Sequence, residues 1–493
     1  MNIEQWCKLD EIIYTMQSNE QYMQYAGFNY SENLMERLAN MKLLNSEIFL
    51  DFFPEQQRTL FVGSLEDIAY SKTKKLELKL HNTRNKKIKS SKHLFNDVPV
   101  NWSTWRQFNS SEKNSVYRKE VFDEFIENTK HISPIIEKRF STIKDIYQEH
   151  ENTSKLDGKC RLSPVSGYLE DENISYEQII DFIKSLGSKA KKPFKELVID
   201  IGKNTIGKEP EYYDDFYFFR NKIYFTEEKN FVFIDPLNEI KKIFESLEFN
   251  FSKIHFDTNN RKNKYPSPIC FFVNIPDDIR ILYKRESPYF DLQGSFHETG
   301  HAMHAISIDK SNTYWDKYRI PMGIAEIFSI FFESLTKNYF YLKELLSNSN
   351  NHRYNDVINN IRSRNKFMEL FFITFYTANS LMKLEYWKKN LSIDQANDLY
   401  AKLIKEYTGF EIPGKYWLLH HILPESTMYV PSYLLAAVRA VELENHIKDH
   451  FGDFWWKEKG TGNFLKEIIK PGAKINLSEF SKLNTNVLID NIF

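Results

Sequence analysis

The sequence has few cysteines and almost no net charge. Its three cysteines, Cys7, Cys160 and Cys270, are too few and too far apart for a disulfide framework or a cysteine-rich zinc module. Lysine and arginine number 66 against 67 aspartates and glutamates, so no excess of one sign favours nucleic acid or an anionic membrane as the main partner. We therefore expect a protein of a reducing compartment with no nucleic-acid or membrane partner.

Long apolar runs and a secretion signal are also missing. The most apolar window, 368–378, is too short and too interrupted to span a bilayer. Residues 1–17 lack the basic start and following apolar run of a secretion signal. With 42% hydrophobic and 27% charged residues, the composition is that of a globular chain. These features predict a cytoplasmic protein.

Glycine and proline are scarce, at 16 each, so few residues interrupt helices. Apolar residues recur at spacings of three and four, which predicts helices at 32–44, 176–198 and 397–409. The region 215–275 differs, because its aromatic and β-branched segments, 221–236 and 252–276, predict a small sheet. We expect a mainly α protein, with an N-terminal helical lobe at 1–190 and a catalytic lobe at 191–493.

The helix predicted over 292–307 contains the sequence HETGH. His297 and His301 would lie one turn apart on one face of this helix, so that both imidazoles can bind a single metal ion. Glu298 would project about 100° away from His297, which suits a general base acting on a water that the ion activates. Because so short a pattern also arises by chance, the prediction of a zinc site requires a third ligand.

A glutamate on the next predicted helix, 320–340, can supply that ligand. Glu326 stands among apolar residues, where an unpaired carboxylate would be costly to bury and a metal ion would offset the cost. Glu333 lies on the same face and could orient a ligand. The alternative HExxHxxGxxH motif is excluded, because His304 occupies the position of its glycine and Ser307 that of its third histidine.

The segment 417–440 offers donors for an oxyanion. Two imidazoles and two phenols precede or begin an alanine-rich helix there, and such groups stabilise the transition state of peptide hydrolysis. The candidates are His420, His421, Tyr429 and Tyr433, and the sequence leaves open which histidine would serve. Separately, the segment 270–276 is predicted to be an edge strand that pairs with the backbone of a substrate.

These segments resemble the thimet oligopeptidase and oligoendopeptidase F family of zinc metallopeptidases. FHETGHAMHA (296–305) resembles the metal helix of that family, including His304, and GIAEIFSIFFESL (323–335) is similar to its ligand helix. FDTNNRKNKYPSPIC (256–270) resembles a third motif, although Asn263 and Ser267 replace glycines of the family pattern. EPEYYDDFYFFRNKI (209–223) is a looser match. The resemblance implies a two-lobed helical body with a deep channel that admits short, unstructured peptides.

The sequence therefore predicts an endopeptidase acting on short peptides. One zinc ion would be held by His297, His301 and Glu326, with Glu298 as general base. One rival is a zinc carboxypeptidase with a similar channel, and another is a non-catalytic peptide-binding relative. A third, a nucleic-acid-associated protein, would depend on the basic run 74–93. The oligomeric state and the cleavage preference are left open.

Overall fold

The structure is a computed structural model that describes residues 1–53, 58–151, 162–219, 228–285, 287–347, 354–419 and 428–493. The prediction of a mainly α fold is confirmed. The helices are α1 (Ile3–Tyr25), α2 (Glu32–Phe52), α3 (Arg58–Lys87), α4 (Trp105–Ser111), α5 (Ser115–Asn128), α6 (Ser133–Glu149), α7 (Pro164–Asp171), α8 (Tyr176–Ile206), α9 (Asp215–Phe219), α10 (Pro236–Ser246), α11 (Pro288–Ser307), α12 (Tyr314–Tyr318), α13 (Met322–Ser334), α14 (Tyr339–Ser347), α15 (Tyr354–Lys389), α16 (Ile393–Thr408), α17 (Tyr429–Phe451), α18 (Lys459–Ile469) and α19 (Thr485–Ile492). The strands are β1 (Lys89–Phe95), β2 (Val98–Asn101), β3 (Ile254–Asp257), β4 (Ile269–Asn274) and β5 (Asp278–Leu282).

The chain divides into two compact units, each formed from separate stretches of sequence. The first unit contains residues 1–64, 226–363 and 435–491, and the second contains 65–225, 364–434 and 492–493. The predicted division into 1–190 and 191–493 stays a prediction, and its boundary falls within α8 of the second unit. Among the described residues, no helix is long and apolar enough to cross a membrane.

The three predicted helices are confirmed, and α8 extends beyond its predicted end. Its N-terminus is set by a capping box, in which Ser175 and Gln178 satisfy each other's backbone N–H groups. The helix then continues through Pro193 to Ile206, well beyond the predicted end. Gly207 ends it in the left-handed conformation, which a residue without a Cβ adopts at little cost.

The larger sheet of the first unit has the strand order β3-β5-β4, with β3 parallel and β4 antiparallel to β5. The prediction of strands within 252–276 is confirmed, and β4 is an edge strand of this sheet, as predicted for 270–276. β5 was not predicted, because its five residues alternate polar and apolar too briefly to stand out.

The prediction of a strand at 221–236 is wrong where the structure describes it. Residues 221–227 lie outside the described residues, and 228–230 form a 3₁₀ turn instead of a strand. Asp235 then caps α10, accepting a hydrogen bond from the backbone N–H of Leu237 at 3.3 Å. Of the two described aromatic residues of this segment, Phe231 is fully buried and packs against Tyr289 with ring centroids 4.8 Å apart, whereas Phe233 is 92% exposed.

Helix α1 covers one face of the larger sheet. Tyr22 and Ala26 pack there against an apolar cluster of Phe271, Val273 and Leu282. The Ser18 hydroxyl donates a hydrogen bond to the carbonyl oxygen of Phe272 on β4, at 3.1 Å. The N-terminal helix is therefore part of the same compact unit as β4.

A buried charge cluster fixes the segment between β3 and β4. Asp257, at the end of β3, is paired with Arg261 and with Lys264, whose Nζ lies 3.1 Å from Asp257 Oδ1. Tyr22 of α1 also donates to Asp257, at 3.3 Å. Burial alone would raise the pKa of Asp257, but the hydrogen bonds from Arg261 and Lys264 outweigh it and lower that pKa.

Candidate metal centre

Helix α11 carries the HETGH sequence, and the predicted helix over 292–307 is confirmed. The helix begins at Pro288, whose fixed φ suits the first helical turn. His297 and His301 are one turn apart on it, with ring centroids separated by 5.1 Å and planes at 84°. Both side chains are partly exposed, at 19% and 13%, so an ion can reach them.

Helices α11 and α13 approach each other closely at Gly300. A Cβ at this position would lie 2.2 Å from the carbonyl oxygen of Phe328 and 2.6 Å from the Cα of Ser329. Those are backbone atoms, which cannot move aside as a flexible side chain can. The glycine inside HETGH therefore lets the second helix come close enough to present Glu326.

The side chains of His297, His301 and Glu326 converge on one point. Oε2 of Glu326 lies 3.4 Å from Nε2 of His297 and 3.7 Å from Nε2 of His301. One ligand atom from each of the three residues lies within 4.8 Å of the others. The structure thus brings together the three residues that the sequence singled out as metal ligands.

Two of the three donors are held by a neighbour. Ser329 donates a hydrogen bond to Oε2 of Glu326 at 2.8 Å, one turn further along α13. Oε2 of Glu333 lies 3.0 Å from Nδ1 of His297. Such neighbours set the orientation of this imidazole and of the carboxylate. Among the described residues, the buried Nδ1 of His301 has no hydrogen-bond partner.

Opposing effects set the charges in this cluster. Burial disfavours the charged form of His297, but its hydrogen bonds with Glu326 and Glu333 raise its pKa well above the usual value. For His301, burial prevails and lowers the pKa.

Burial would raise the pKa of Glu326, yet the two imidazoles and Ser329 lower it. Glu333 has a pKa of about 2, since Lys337 and His297 outweigh the effect of burial. Both carboxylates therefore stay ionised beside the imidazoles, and their negative charge favours the binding of a cation.

The residues present fit a divalent metal ion. An ion with tetrahedral ligands at about 2.1 Å would separate neighbouring ligand atoms by roughly 3.4 Å, and the distances of 3.4 and 3.7 Å are close to that spacing. Two imidazoles and one carboxylate are a donor set that binds zinc and related ions. Three protein donors also leave a coordination position for water or substrate.

Glu298 lies beside this cluster but is not among the converging donors. Its negative charge favours the charged forms of His297 and His301. Its side chain is partly exposed. Burial and the charge of Glu298 raise the pKa of Cys270 well above its usual value, which keeps this thiol protonated.

His304 is not among the converging donors. It is 3% exposed, and its ring lies 4.7 Å from that of Phe328. Burial lowers its pKa to about 3, so it stays neutral. It packs in the interface between α11 and α13.

The predicted oxyanion donors are described in part. His420 and His421 lie outside the described residues. Tyr429 and Tyr433 are both on α17, one turn apart, with ring centroids 5.6 Å apart, and both are partly exposed. Tyr376 of α15 packs edge-on against Tyr433 at 5.7 Å. These tyrosines belong to the second unit, whereas the metal donors belong to the first.

Two residues that support the donors were not found from the sequence. Buried Arg439 of α17 donates a hydrogen bond to the carbonyl of Gly323 in the first turn of α13, at 2.8 Å. Lys337 contacts Glu333 at 3.1 Å. Arg439 is a charged residue within an apolar stretch of the sequence. The same signal identified Glu326, so it could also have identified Arg439.

Comparisons with known proteins agree with this geometry. The sequence model of peptidase family M3 matches residues 74–449. Metallocarboxypeptidase 1 of Trypanosoma cruzi shares the fold with a TM-score of 0.63 and 15% identity, over 99% of each chain. A Pyrococcus furiosus carboxypeptidase gives 0.62 and 15%, over 100% of this chain and 98% of that one. PZ peptidase A, solved with an inhibitor, gives 0.60 and 14%, over 99% and 85%. No curated protein matches the sequence.

A helical fold with an HETGH helix packed on a glutamate-bearing helix defines a metallopeptidase. Because the family model covers more than half of the chain, the chain belongs to peptidase family M3. The resemblance seen in the sequence is thereby confirmed. A metallopeptidase of this family requires a divalent metal ion and acts on peptides.

Proposed function

We propose that the protein is a zinc-dependent endopeptidase that hydrolyses short, unstructured peptides. The observation that carries the proposal is the convergence of His297, His301 and Glu326 beside Glu298. Zinc is favoured because it binds imidazole and carboxylate donors in four-coordinate sites that keep one position open. One ion is expected, since among the described residues this is the one group of at least three candidate donors that converges in this way.

In this proposal the ion, when bound, acts as a Lewis acid that polarises the scissile carbonyl and acidifies a water. His297 donates its Nδ1 proton to Glu333, so its Nε2 lone pair faces Glu326 and the ion. Glu298 accepts the proton of the attacking water and passes it to the leaving amine. The position of Glu298 directly after His297 on α11 supports this role.

The proposal assigns the oxyanion to the donors predicted in the segment 417–440. Tyr433, Tyr429 and one of His420 or His421 would donate hydrogen bonds to the developing negative charge. The spacing of the two tyrosines on α17 supports a joint role, because both phenols leave the same side of the helix. The predicted cytoplasmic location stays a prediction that the few cysteines support.

A carboxypeptidase is the second candidate, and the comparisons give a specific reason to keep it. Two of the structures with the same fold are named carboxypeptidases. Their identity of 15% supports the fold and leaves the activity of this chain open. The resemblance of the sequence to the thimet oligopeptidase and oligoendopeptidase F family favours the endopeptidase.

One digestion experiment tests both candidates. The protein is incubated with internally quenched peptides of 6 to about 20 residues whose C-termini are free or amidated, with and without a metal chelator, and the products are read by mass spectrometry. An endopeptidase cuts both forms at internal bonds. A carboxypeptidase releases single residues from the free form alone. Chelator-resistant cleavage, or no cleavage of any peptide with zinc present, would refute the proposed function.

A further inference from the structure

We infer that Lys337 is a positioning residue for the metal centre, acting through Glu333 on His297. This inference rests on the proposed function, since it takes His297 as a metal ligand. The two oxygens of Glu333 have different partners. Oε2 lies 3.0 Å from Nδ1 of His297, and Oε1 lies 3.1 Å from Nζ of Lys337. Lysine, carboxylate and imidazole thus form one continuous chain.

The backbone holds Lys337 in place for this contact. Helix α13 ends at Ser334, and Leu335–Lys337 form one 3₁₀ turn directly after it. Thr336 donates a hydrogen bond to the carbonyl of Glu333 at 2.7 Å. The phenol of Tyr289, in the first turn of α11, donates to the carbonyl of Thr336 at 3.1 Å. The turn that carries Lys337 is therefore tied to the same helix that carries His297.

The contact constrains the rotation of the carboxylate. A carboxylate with one partner can turn about its last torsion, which has a broad energy profile. With Lys337 on one oxygen, the other oxygen remains directed at Nδ1 of His297. The imidazole is then held with Nε2 toward Glu326, as a ligand must be. A cation beside Glu333 also offsets the cost of placing a charged carboxylate in a largely buried position.

The other histidine shows what Lys337 adds. Among the described residues, the buried Nδ1 of His301 has no hydrogen-bond partner, whereas Nδ1 of His297 contacts Glu333 and, through it, Lys337. Orientation by Glu333 depends on a side chain, and that side chain needs an anchor. Removing the anchor should therefore weaken one of the two imidazole ligands.

A second ion pair of the same geometry provides the control. Glu444 and Lys448 of α17 are also separated by four residues, at 2.8 Å, and Lys448 is 27% exposed, as Lys337 is. Among the described donors, Glu444 is not part of the converging group. Lys448→Met therefore removes an equivalent pair in the same compact unit without touching the metal centre.

The test measures the affinity of the purified full-length protein for Zn²⁺ by competition with a chelator. Lys337→Met should weaken binding by about 10- to 100-fold, the usual effect of losing a group that orients a ligand. Lys337→Arg, which keeps the cation, should restore most of the affinity. Lys448→Met should bind like the wild type. The melting temperatures of the metal-free Lys337→Met and Lys448→Met variants should agree, which separates positioning from general stability.

Two outcomes would overturn the inference. Wild-type affinity in Lys337→Met would show that Glu333 needs no anchor, and equal losses in Lys337→Met and Lys448→Met would show a general effect of lost ion pairs. If Lys337→Met does not fold, Lys337→Gln is measured instead, with the same expected loss and the same refuting result. Failure of the proposed function gives a different pattern, in which His301→Ala binds Zn²⁺ as tightly as the wild type.

Discussion

The metal donors and the tyrosine pair of α17 are both placed by helices, but they depend on different levels of structure. His297 and His301 are one turn apart on α11, and Glu326 reaches them across a single helix contact within one compact unit. Tyr429 and Tyr433 are likewise one turn apart, yet they belong to the other unit. Helical spacing is thus sufficient to pair two side chains. Bringing a third residue to them requires a specific close contact, such as the one at Gly300.

Substitutions can test this comparison, and the largest effect on activity is expected from replacing Glu298. Glu298→Gln should lower kcat by roughly 10²- to 10⁴-fold, because the amide cannot accept the proton of the attacking water. Zinc content should stay at one ion per chain, since Glu298 is not among the converging donors. Metal analysis and kinetics on a quenched peptide measure both.

Glu344→Gln is a suitable control, because Glu344 is exposed and pairs with Lys457. It should leave kcat unchanged. A Glu298→Gln variant with wild-type kcat would remove Glu298 from the mechanism.

The next effect is expected for the tyrosine pair of α17. Tyr433→Phe and Tyr429→Phe should each lower kcat by about 10²-fold, since losing one oxyanion donor costs roughly 10²- to 10³-fold. Zinc affinity should not change. Tyr376→Phe should have little effect, because Tyr376 contributes its ring to the packing against Tyr433. Near-normal kcat in both of the first two variants would exclude the pair from the site.

The close contact of α11 with α13 can be broken at Gly300. Gly300→Ala should destabilise the protein by about 1–3 kcal/mol, because the added methyl group meets backbone atoms of Phe328 and Ser329. Zinc affinity should fall as well, since Glu326 is displaced with α13. Urea unfolding of the metal-free protein and chelator competition measure the two effects.

Gly460→Ala is the matched control, because the nearest atoms to its added Cβ belong to the side chain of Phe451. It should leave zinc affinity intact. If Gly300→Ala binds zinc as well as the wild type, the close contact does not set the position of Glu326.

The smallest effect is expected on the pH dependence of stability, through Asp257 at the end of β3. The pKa of Asp257 is lowered in the folded protein, so the unfolded chain binds the extra proton and stability rises with pH. The contribution is fully present above the ordinary pKa of an aspartate, about 4, and is lost as the pH falls through the lower folded value. Urea midpoints of the wild type and of Asp257→Asn should therefore converge toward low pH. Parallel curves would contradict this account.

Much of the candidate metal centre could be predicted from sequence, because its signals are local. The spacing of His297 and His301 fixes their pairing on any helix, and an acid surrounded by apolar residues identified Glu326. The contact of Arg439 could not be predicted with them, because its partner Gly323 lies on a different helix. Lys337 follows Glu333 by four residues, a spacing that favours an ion pair. The sequence does not show that Glu333 also contacts His297 of another helix.

The sheet shows the limits of residue type as a signal. Aromatic residues at 221–236 predict a strand, but in the described part of this segment Phe231 is buried beside α11 and Phe233 is exposed, both outside any strand. Conversely, β5 is short and contains Arg280, so its pattern was too weak to detect. Burial and strand formation select similar residues, and only the pairing partners separate them.

The hydrogen bond from Ser18 to Phe272 has a consequence for how the chain folds. The two residues are 254 positions apart, so α1 is synthesised long before the strand on which it packs. At about 5–20 residues per second, that delay on a ribosome is roughly 13–50 s. During this time Tyr22 and Ala26 have no native partner in the sheet, and their apolar surface is open to chaperones or to premature association. Folding of the unit that carries the metal centre is thus delayed until most of the chain has been made.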